Sequence, residues 1–474
     1  MAKMPLVSII IVNYNGRHLL RDCLEALYHI DYPKKRFEII LVDNNSVDDS
    51  IPFVKSHFPF VHVVELSENC GFTGGNAAGL NVAIGDYIVL LNTDVVVDQS
   101  WLSALVKAAQ PKDVGVVSSR LRFAVPFIEL TISSHAVPRS QLNSSIDHSP
   151  IGVLLEDINC NDLKLSKLVY YKSGFYERKE AEVALRRTMG RAVALLPFEQ
   201  NGKSTHFRIP IHGYTMTSHE KIPIYFSVGG KTLLEKTISA DGVTEVDLEI
   251  PAKVLTQDKK WLIQNAGNIV LSNGSSKDRG SMVDLYDSDI REFYEEESEY
   301  FDKPVELLAA CGAACLIKRQ VIDHVGFLDG HYFMYYEDVE FSLRAWRAGW
   351  KILYEPSAIG YHAHRATTGS GESALLIELV ERNRLSMVLS HFPLRTVISQ
   401  YFAFFVRFCG TTAKAFLFQF YDNLERSNTW HIRYSGRRSA AIFLFRHFPR
   451  LMLSRVHLNR YWPYRTDALE RMTY

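Results

Sequence analysis

An apolar run that breaks off into Asn92-Thr93-Asp94 is the first place in this 474-residue chain where chemistry can be placed. Leu90 and Leu91 precede it and Val95 to Val97 follow. A carboxylate therefore stands at the exit of a strand, the edge at which parallel α/β sheets hold ligands. A hard divalent cation shared with phosphate oxygens needs an oxygen ligand there, and Asp94 is the candidate. A single Asp in that place can equally cap a helix beginning near Ser100 or Trp101. Farther on, Glu337-Asp338 opens a helix-like stretch, Ser342 to Ala348, that Gly349 ends. The positive end of a helix dipole favours ionised carboxylates, so the pair is either ordinary N-terminal helix charge or a base able to take a proton from a hydroxyl. His362 follows a strand-like Trp350 to Tyr354. A neutral imidazole there can complete a metal sphere begun by carboxylate and phosphate oxygens, with His364 the weaker candidate.

Asn69 to Gly79 packs four glycines into what reads as a loop leading into a helix. Such a loop lets backbone approach a phosphate or ribose, and a helix start offers unpaired N–H groups. A tight structural turn explains it equally well, and no Gly-Lys-Ser/Thr follows to make it a Walker loop. Asp43 ends another apolar run, where its carboxylate either receives hydrogen bonds from a base or ribose or forms an Asx turn.

The elements that must position these groups are legible as alternating texture. Leu6 to Asn13, Phe37 to Val42, Val61 to Leu66 and Tyr87 to Leu91 are continuous apolar runs with helix-like segments between them, the pattern of a parallel, doubly wound sheet. Beyond Ala124 short β-rich segments are separated by Asn201-Gly202, Gly229-Gly230 and Asp241-Gly242, which indicates an inserted antiparallel sandwich. The α/β texture returns from Leu307 to Tyr361, and the last hundred residues read as helices. The expected division is 1–131, an inserted β-rich module at 132–260, 261–368, and a C-terminal helical region at 369–474.

Lys and Arg balance Asp and Glu at 53 each, which argues against general nucleic-acid binding. The balance hides a gradient: after Ala366, fifteen cations face seven acids. Six cysteines without regular spacing read as reduced thiols. The N-terminus lacks the apolar core of a signal peptide and no run is long enough to span a bilayer, so a cytoplasmic location is expected.

Four motifs carry a resemblance to glycosyltransferase family 2 with the GT-A fold, in its rhamnosyltransferase-like branch: VSIIIVNYNG at 7–16, ILVDNNSVDDS at 40–50, NCGFTGGNAAG at 69–79 with NTD at 92–94, and GFLDGHYFMYYEDVEFSLRAWRAGW at 326–350. The resemblance covers about 7–121 and 265–368. It implies an α/β protein with a Rossmann-like mixed sheet, interrupted by the β-rich insert. It further implies that Asn13 and Asp43 contact base and ribose, and that Gly71 and Asn76 line the nucleotide pocket. Asn92 and Thr93 would border that pocket, Asp94 would hold Mg2+ or Mn2+ with help from His362, and Asp338 would be the base with Glu337 beside it. The frequent Asp-x-Asp is Asn-Thr-Asp here, where Asn92 offers only an amide oxygen. Arg279-Gly280 resembles a short motif of the branch without an evident role. The implied reaction is inverting transfer of a sugar, rhamnose by the branch, from a dTDP- or UDP-sugar to a glycan or polyprenyl-diphosphate-linked acceptor in bacterial surface polysaccharide synthesis.

Two further classes stay in view. A sugar-1-phosphate nucleotidyltransferase would need a Gly-rich N-terminal loop with Arg and Lys, which Asn13-Tyr14-Asn15-Gly16 does not supply. A non-catalytic glycan-binding protein on a transferase scaffold would not need Asp94 and Glu337-Asp338. In the insert, Tyr170, Tyr171, Phe175, Tyr176, Tyr214 and Tyr225 either stack on a glycan, as in a carbohydrate-binding module, or form core or an oligomer contact. In the tail, aromatic clusters beside Arg437, Arg438 and Arg446 suit either the inner face of an anionic membrane or packing on the catalytic domain or a second subunit.

Overall fold

The computed structural model describes residues 4–138, 150–161, 163–180, 183–213, 221–239, 242–286, 289–363, 373–418 and 424–462. His364 and Tyr214 lie outside them. The chain divides into two compact units, 1–124 with 263–282 and 298–474, and 125–262 with 283–297.

The first unit begins with β1 (Val7–Asn13), α1 (Arg17–Tyr28), β2 (Phe37–Asp43), α2 (Ser50–His57), β3 (His62–Glu65), α3 (Gly71–Val82) and β4 (Tyr87–Asn92). A short β5 (Val95–Val97), α4 (Trp101–Ala108) and β6 (Val114–Phe123) follow. After the insert come β7 (Ile263–Asn265), β8 (Val305–Leu307), β9 (Ala314–Lys318), α5 (Arg319–Val325), α6 (Glu337–Arg347) and β10 (Lys351–His362). Helices α7 (Ala374–His391), α8 (Leu394–Phe418) and α9 (Leu424–Tyr461) close the chain.

The sheet order is β8-β10-β6-β9-β4-β1-β2-β3, with β7 paired to β6 and β5 to β10. Strands β1 to β4 are mutually parallel, as the texture predicts. Strand β9 enters antiparallel between β4 and β6, so the sheet is the mixed one that the resemblance implies. Both faces of β1 are covered: Val7, Ile9 and Ile11 pack with Leu20, Leu24 and Trp101, while Ile10 packs on the other face with Ile40, Leu90 and Val339. Burial on both faces is why these strands read as unbroken apolar runs rather than alternating ones.

Registers Asn13↔Asp43 and Val12↔Asn92 bring three strands to a common carboxyl edge. Two local expectations change. The segment 71–79 is not a loop but the start of α3, because Gly75 and Gly79 let the helix lie directly on β1: added Cβ atoms would meet Val12 and Ile10 at 2.6 and 2.5 Å. Helix α6 starts at Glu337, five residues ahead of the expected Ser342, so both carboxylates belong to its first turn.

The C-terminal helices fall in the same compact unit as the sheet rather than standing apart at 369–474. Arg347 of α6 explains part of this: its guanidinium donates to the carbonyl of Trp462 at 2.7 Å and to Asn459 Oδ1 at 2.8 Å.

Among the described residues, the second unit has a main sheet that is ten-stranded and antiparallel. Its core is built from alternate residues, such as Ile128, Leu130 and Ile132 with Ile222, Ile224 and Phe226. It starts at Val125 rather than 132 and takes in the returning segment 283–297. Glu296 accounts for that return, since Lys260 pairs with it at 2.8 Å and with Glu129 at 2.9 Å, and Lys172 pairs with both acids. Tyr171 and Phe175 pack against the core, edge to face at 5.2 Å, whereas Tyr225 is exposed. The first two are thus partly buried against the core.

Candidate active site

Asp94 lies in the tight turn between β4 and β5, buried to 8% exposure. It does not cap α4: Trp101 N–H bonds to the carbonyl of Asp98 instead. Its Oδ1 faces His362 Nε2 at 3.2 Å, because β10 runs beside β5 with His362 opposite Val95. The other imidazole nitrogen, Nδ1, lies 2.8 Å from Gln264 Oε1. Gln264 must present its oxygen there, since its NH2 donates to Asp278 Oδ2 at 3.2 Å, a carboxylate that only accepts. His362 therefore donates from Nδ1, which leaves Nε2 aimed at an Asp94 oxygen. Two acceptors converging in a buried place require a positive charge between them, a proton or a metal cation. The donor set, one carboxylate and one imidazole, fits a divalent cation that takes its remaining ligands from diphosphate or water. Among the described residues no group of three His, Cys, Asp or Glu side chains is placed to hold a metal by protein ligands alone.

Asp338, in the first turn of α6, is held from three sides. Gly312 N–H donates to its Oδ2 at 2.8 Å, Asn268 Nδ2 to the same atom at 3.2 Å, and Val339 N–H to Oδ1 at 2.8 Å. Burial pushes its carboxyl up from the ordinary Asp range, and those hydrogen bonds to the charged form oppose the rise. Glu337 has less such support, one bond with its own backbone. It is buried, its Oε2 makes no hydrogen bond, and desolvation together with the neighbouring Asp338 charge lifts it to about 8. Burial raises both members of the pair, and the hydrogen bonds to the Asp338 carboxylate favour its charged form over that of Glu337.

The two centres are joined. Asn265 Nδ2 donates to Asp278 Oδ1 at 2.8 Å and to Asn268 Oδ1 at 3.1 Å, so a hydrogen-bonded chain runs from His362 through Gln264, Asp278, Asn265 and Asn268 to Asp338. A second link runs through backbone: Ala313 carbonyl accepts from Asn92 N–H at 2.9 Å, one residue from Gly312. Sequence reasoning assigned no role to Gln264, Asn265, Asn268 or Asp278. Their signal was a stretch dense in amides, Gln264-Asn265-Ala266-Gly267-Asn268, ahead of Asp278. The neighbouring Arg279 is structural, buried with its guanidinium 4.7 to 5.1 Å from the rings of Tyr300, Phe301 and Tyr354.

At the carboxyl edge of β1 and β2, Asn13 Nδ2 donates to Asp43 Oδ1 at 2.9 Å and Ser46 N–H to Asp43 Oδ2 at 2.9 Å. Asp43 thus bonds the backbone three residues on, one farther than an Asx turn, and each carboxylate oxygen keeps a lone pair for a further donor. Gly71 begins α3 at φ +71°, and a Cβ there would meet the carbonyl of Phe333 at 2.5 Å. Asn44 Nδ2 donates to the Gly71 carbonyl at 3.0 Å, tying this turn to β2. Asn76 stands apart from these groups. Its amide nitrogen donates to the Phe72 carbonyl of its own helix at 2.8 Å, which leaves its second N–H and its Oδ1 for another partner. Thr93 is buried beside Asp94, and Asn92 closes β4.

Just ahead of Glu337 the backbone is strained. Phe333 adopts φ 61°, ψ −61°, with Met334 N–H bonded to the Tyr332 carbonyl at 2.7 Å, a γ-turn of the rare hand. Tyr335 and Tyr336 follow at φ 72° and 68°. Non-glycine residues in such conformations cost of order 1–3 kcal/mol each and persist where surroundings over-determine them.

Residues 8–152 match the family model described as glycosyl transferase family 2. Among curated proteins, the chain is 32% identical over 112 residues to N-acetylgalactosaminyltransferase 6 of Drosophila melanogaster, covering 22% of this chain and 17% of that protein. It is 38% identical over 77 residues to N-acetylglucosaminyl-diphospho-decaprenol L-rhamnosyltransferase of Mycobacterium tuberculosis, covering 16% and 24%. These matches span well under half of the relatives' own lengths. A mannosyltransferase of Pyrobaculum calidifontis solved with GDP-Man and Mn2+ is 13% identical at a TM-score of 0.37, over 99% of this chain and 86% of that one, too loose to equate their sites. The matched segment holds Asn13, Asp43, Gly71 and Asp94, and on it the chain carries a glycosyl transferase family 2 domain.

Proposed function

We propose that the protein is an inverting glycosyltransferase, moving a sugar from a nucleotide diphosphate donor to a hydroxyl of a glycan or lipid-linked glycan. One observation carries this reading: the Asp94–His362 pair and the Asp338 carboxylate are oriented by one continuous polar scaffold, Gln264-Asp278-Asn265-Asn268. A direct displacement needs a leaving-group site and a base held in fixed relation, because both act in one transition state.

Asp338 takes the proton of the acceptor hydroxyl, whose oxygen forms a bond to the anomeric carbon as the bond to the diphosphate oxygen breaks. Asp43 and Asn13 receive the nucleoside, and the turn at Gly71 borders it. Asp94 and His362 would hold Mg2+ or Mn2+, which stabilises negative charge on a departing diphosphate when bound. Glu337, protonated beside Asp338, keeps a second negative charge out of the buried pair. The rhamnosyltransferase-like motifs, with the mycobacterial relative, favour rhamnose on dTDP and a polyprenyl-diphosphate acceptor.

Membrane contact belongs to the same proposal. Residues 394–418 and 427–461 contain no Asp or Glu, and they expose Phe402, Phe405, Phe445 and Leu453 at 60–85%. No helix among the described residues is long and apolar enough to cross a membrane. Exposed apolar side chains on acid-free, arginine-bearing helices suit an anionic bilayer surface.

Thermal denaturation against UDP, dTDP, GDP and CDP, each with and without Mn2+, tests the donor site. Metal-dependent stabilisation by one nucleotide supports it and names its base. No stabilisation by any of them removes the donor and favours a glycan-binding protein on the same scaffold.

A further inference from the structure

We propose that Asn383, on helix α7 of the C-terminal region, is a positioning residue that holds the strained backbone ahead of Asp338 in its working conformation. Asn383 is 1% exposed. Its amide NH2, two N–H groups shared among three acceptors, lies 2.8 Å from the carbonyl oxygen of Tyr332, 2.9 Å from that of Met334 and 2.8 Å from that of Tyr335. All three partners only accept, so the orientation of the carboxamide is decided by chemistry: NH2 faces the turn. Three carbonyls from four consecutive residues converge on one point because Phe333 makes its γ-turn and Tyr335 has a positive φ. Without a donor at that point their dipoles repel one another in a buried place, and the segment relaxes.

The segment acts on both sides of the site. The Phe333 carbonyl accepts from Thr73 N–H at 3.1 Å, at the start of α3 beside Gly71. Two residues past Tyr336, Asp338 receives its bonds from Gly312 and Asn268. A shift of 332–336 therefore moves the base relative to the scaffold that orients it. By this inference the helical region beyond 373 completes the active site as well as flanking it.

The kinetic part rests on the glycosyltransferase reading, and the conformational part does not. The test uses the full chain with Asn383→Ala and Asn383→Ser, the latter keeping one donor in case Ala fails to fold. Hydrogen exchange of the peptide 331–340 reports the clamp, and kcat for transfer is compared with metal-dependent dTDP or UDP binding. The expected result is faster exchange in 331–340 and a kcat lowered by roughly 100-fold, with nucleotide binding weakened far less than kcat. Unchanged exchange in a folded variant overturns the clamp. Faster exchange with wild-type kcat overturns its positioning role, as does an equal loss of kcat and nucleotide binding with a general fall in Tm. If the wild-type protein transfers no sugar, the failure lies with the glycosyltransferase reading, and the exchange data still decide whether Asn383 holds the turn.

Discussion

Asp94 Oδ1 and His362 Nε2 stand 3.2 Å apart at the ends of two strands 268 residues apart in sequence, with the far side of the imidazole fixed by Gln264. The pair is pre-arranged to share a positive charge. That arrangement gives the first expectation: Asp94→Ala and His362→Ala each weaken metal-dependent nucleotide binding, Asp94→Ala the more, since it removes the only carboxylate of the pair. Titrating Mn2+ in the thermal assay checks this, and an unchanged metal requirement in Asp94→Ala would remove it from the site.

Asp338→Asn keeps the shape of the side chain but cannot accept a proton, and its NH2 meets an N–H where a carboxylate oxygen had accepted one. Transfer should fall by about 10²–10⁴-fold, the usual contribution of a general base, while nucleotide binding persists. Steady-state kinetics beside calorimetric dTDP or UDP binding separates the two, and normal turnover in Asp338→Asn would exclude it as base.

Glu337 carries a pH signature. Its folded-state value of about 8 lies above its unfolded one, so its contribution to stability is fully present below the unfolded value and is lost as pH rises through about 8. Wild-type stability should therefore decline from weakly acid to weakly alkaline pH, and Glu337→Gln should flatten that slope. Urea denaturation at a series of pH values measures it; equal slopes in both proteins would show that Glu337 is not held neutral.

Gly71→Ala places a Cβ against the Phe333 carbonyl at a φ that L residues avoid. A loss of more than about 1 kcal/mol is expected from the backbone conformation alone, together with weaker nucleotide binding. Denaturant unfolding gives the first and calorimetry the second, and a neutral substitution would show that the contact yields freely.

Phe405→Asp and Phe445→Asp each put an acid onto an exposed apolar position of the C-terminal helices. Flotation with vesicles containing anionic lipid should show reduced association for both while the fold is unaffected. Wild-type protein that fails to float would leave these side chains to a protein contact.

Local pattern alone determined a good deal here. Continuous apolar runs between helical segments announced the parallel half of the sheet, because a strand covered on both faces has no polar side to show. The same reading placed Asp43 and Asp94 at strand exits and Glu337-Asp338 at a helix start, since an abrupt change from apolar to acidic is a local event. It misjudged 71–79 as a loop, because glycine lowers helix propensity and only the closeness of Val12 and Ile10 shows why a helix needs it there. Other features were decided by tertiary structure: the antiparallel entry of β9, the chain from His362 through Asp278 to Asp338, and the convergence of three carbonyls on Asn383. Each depends on residues far apart in sequence meeting in a buried place. There every polar group must find a partner, and a linear pattern of residue types does not say which one it will be.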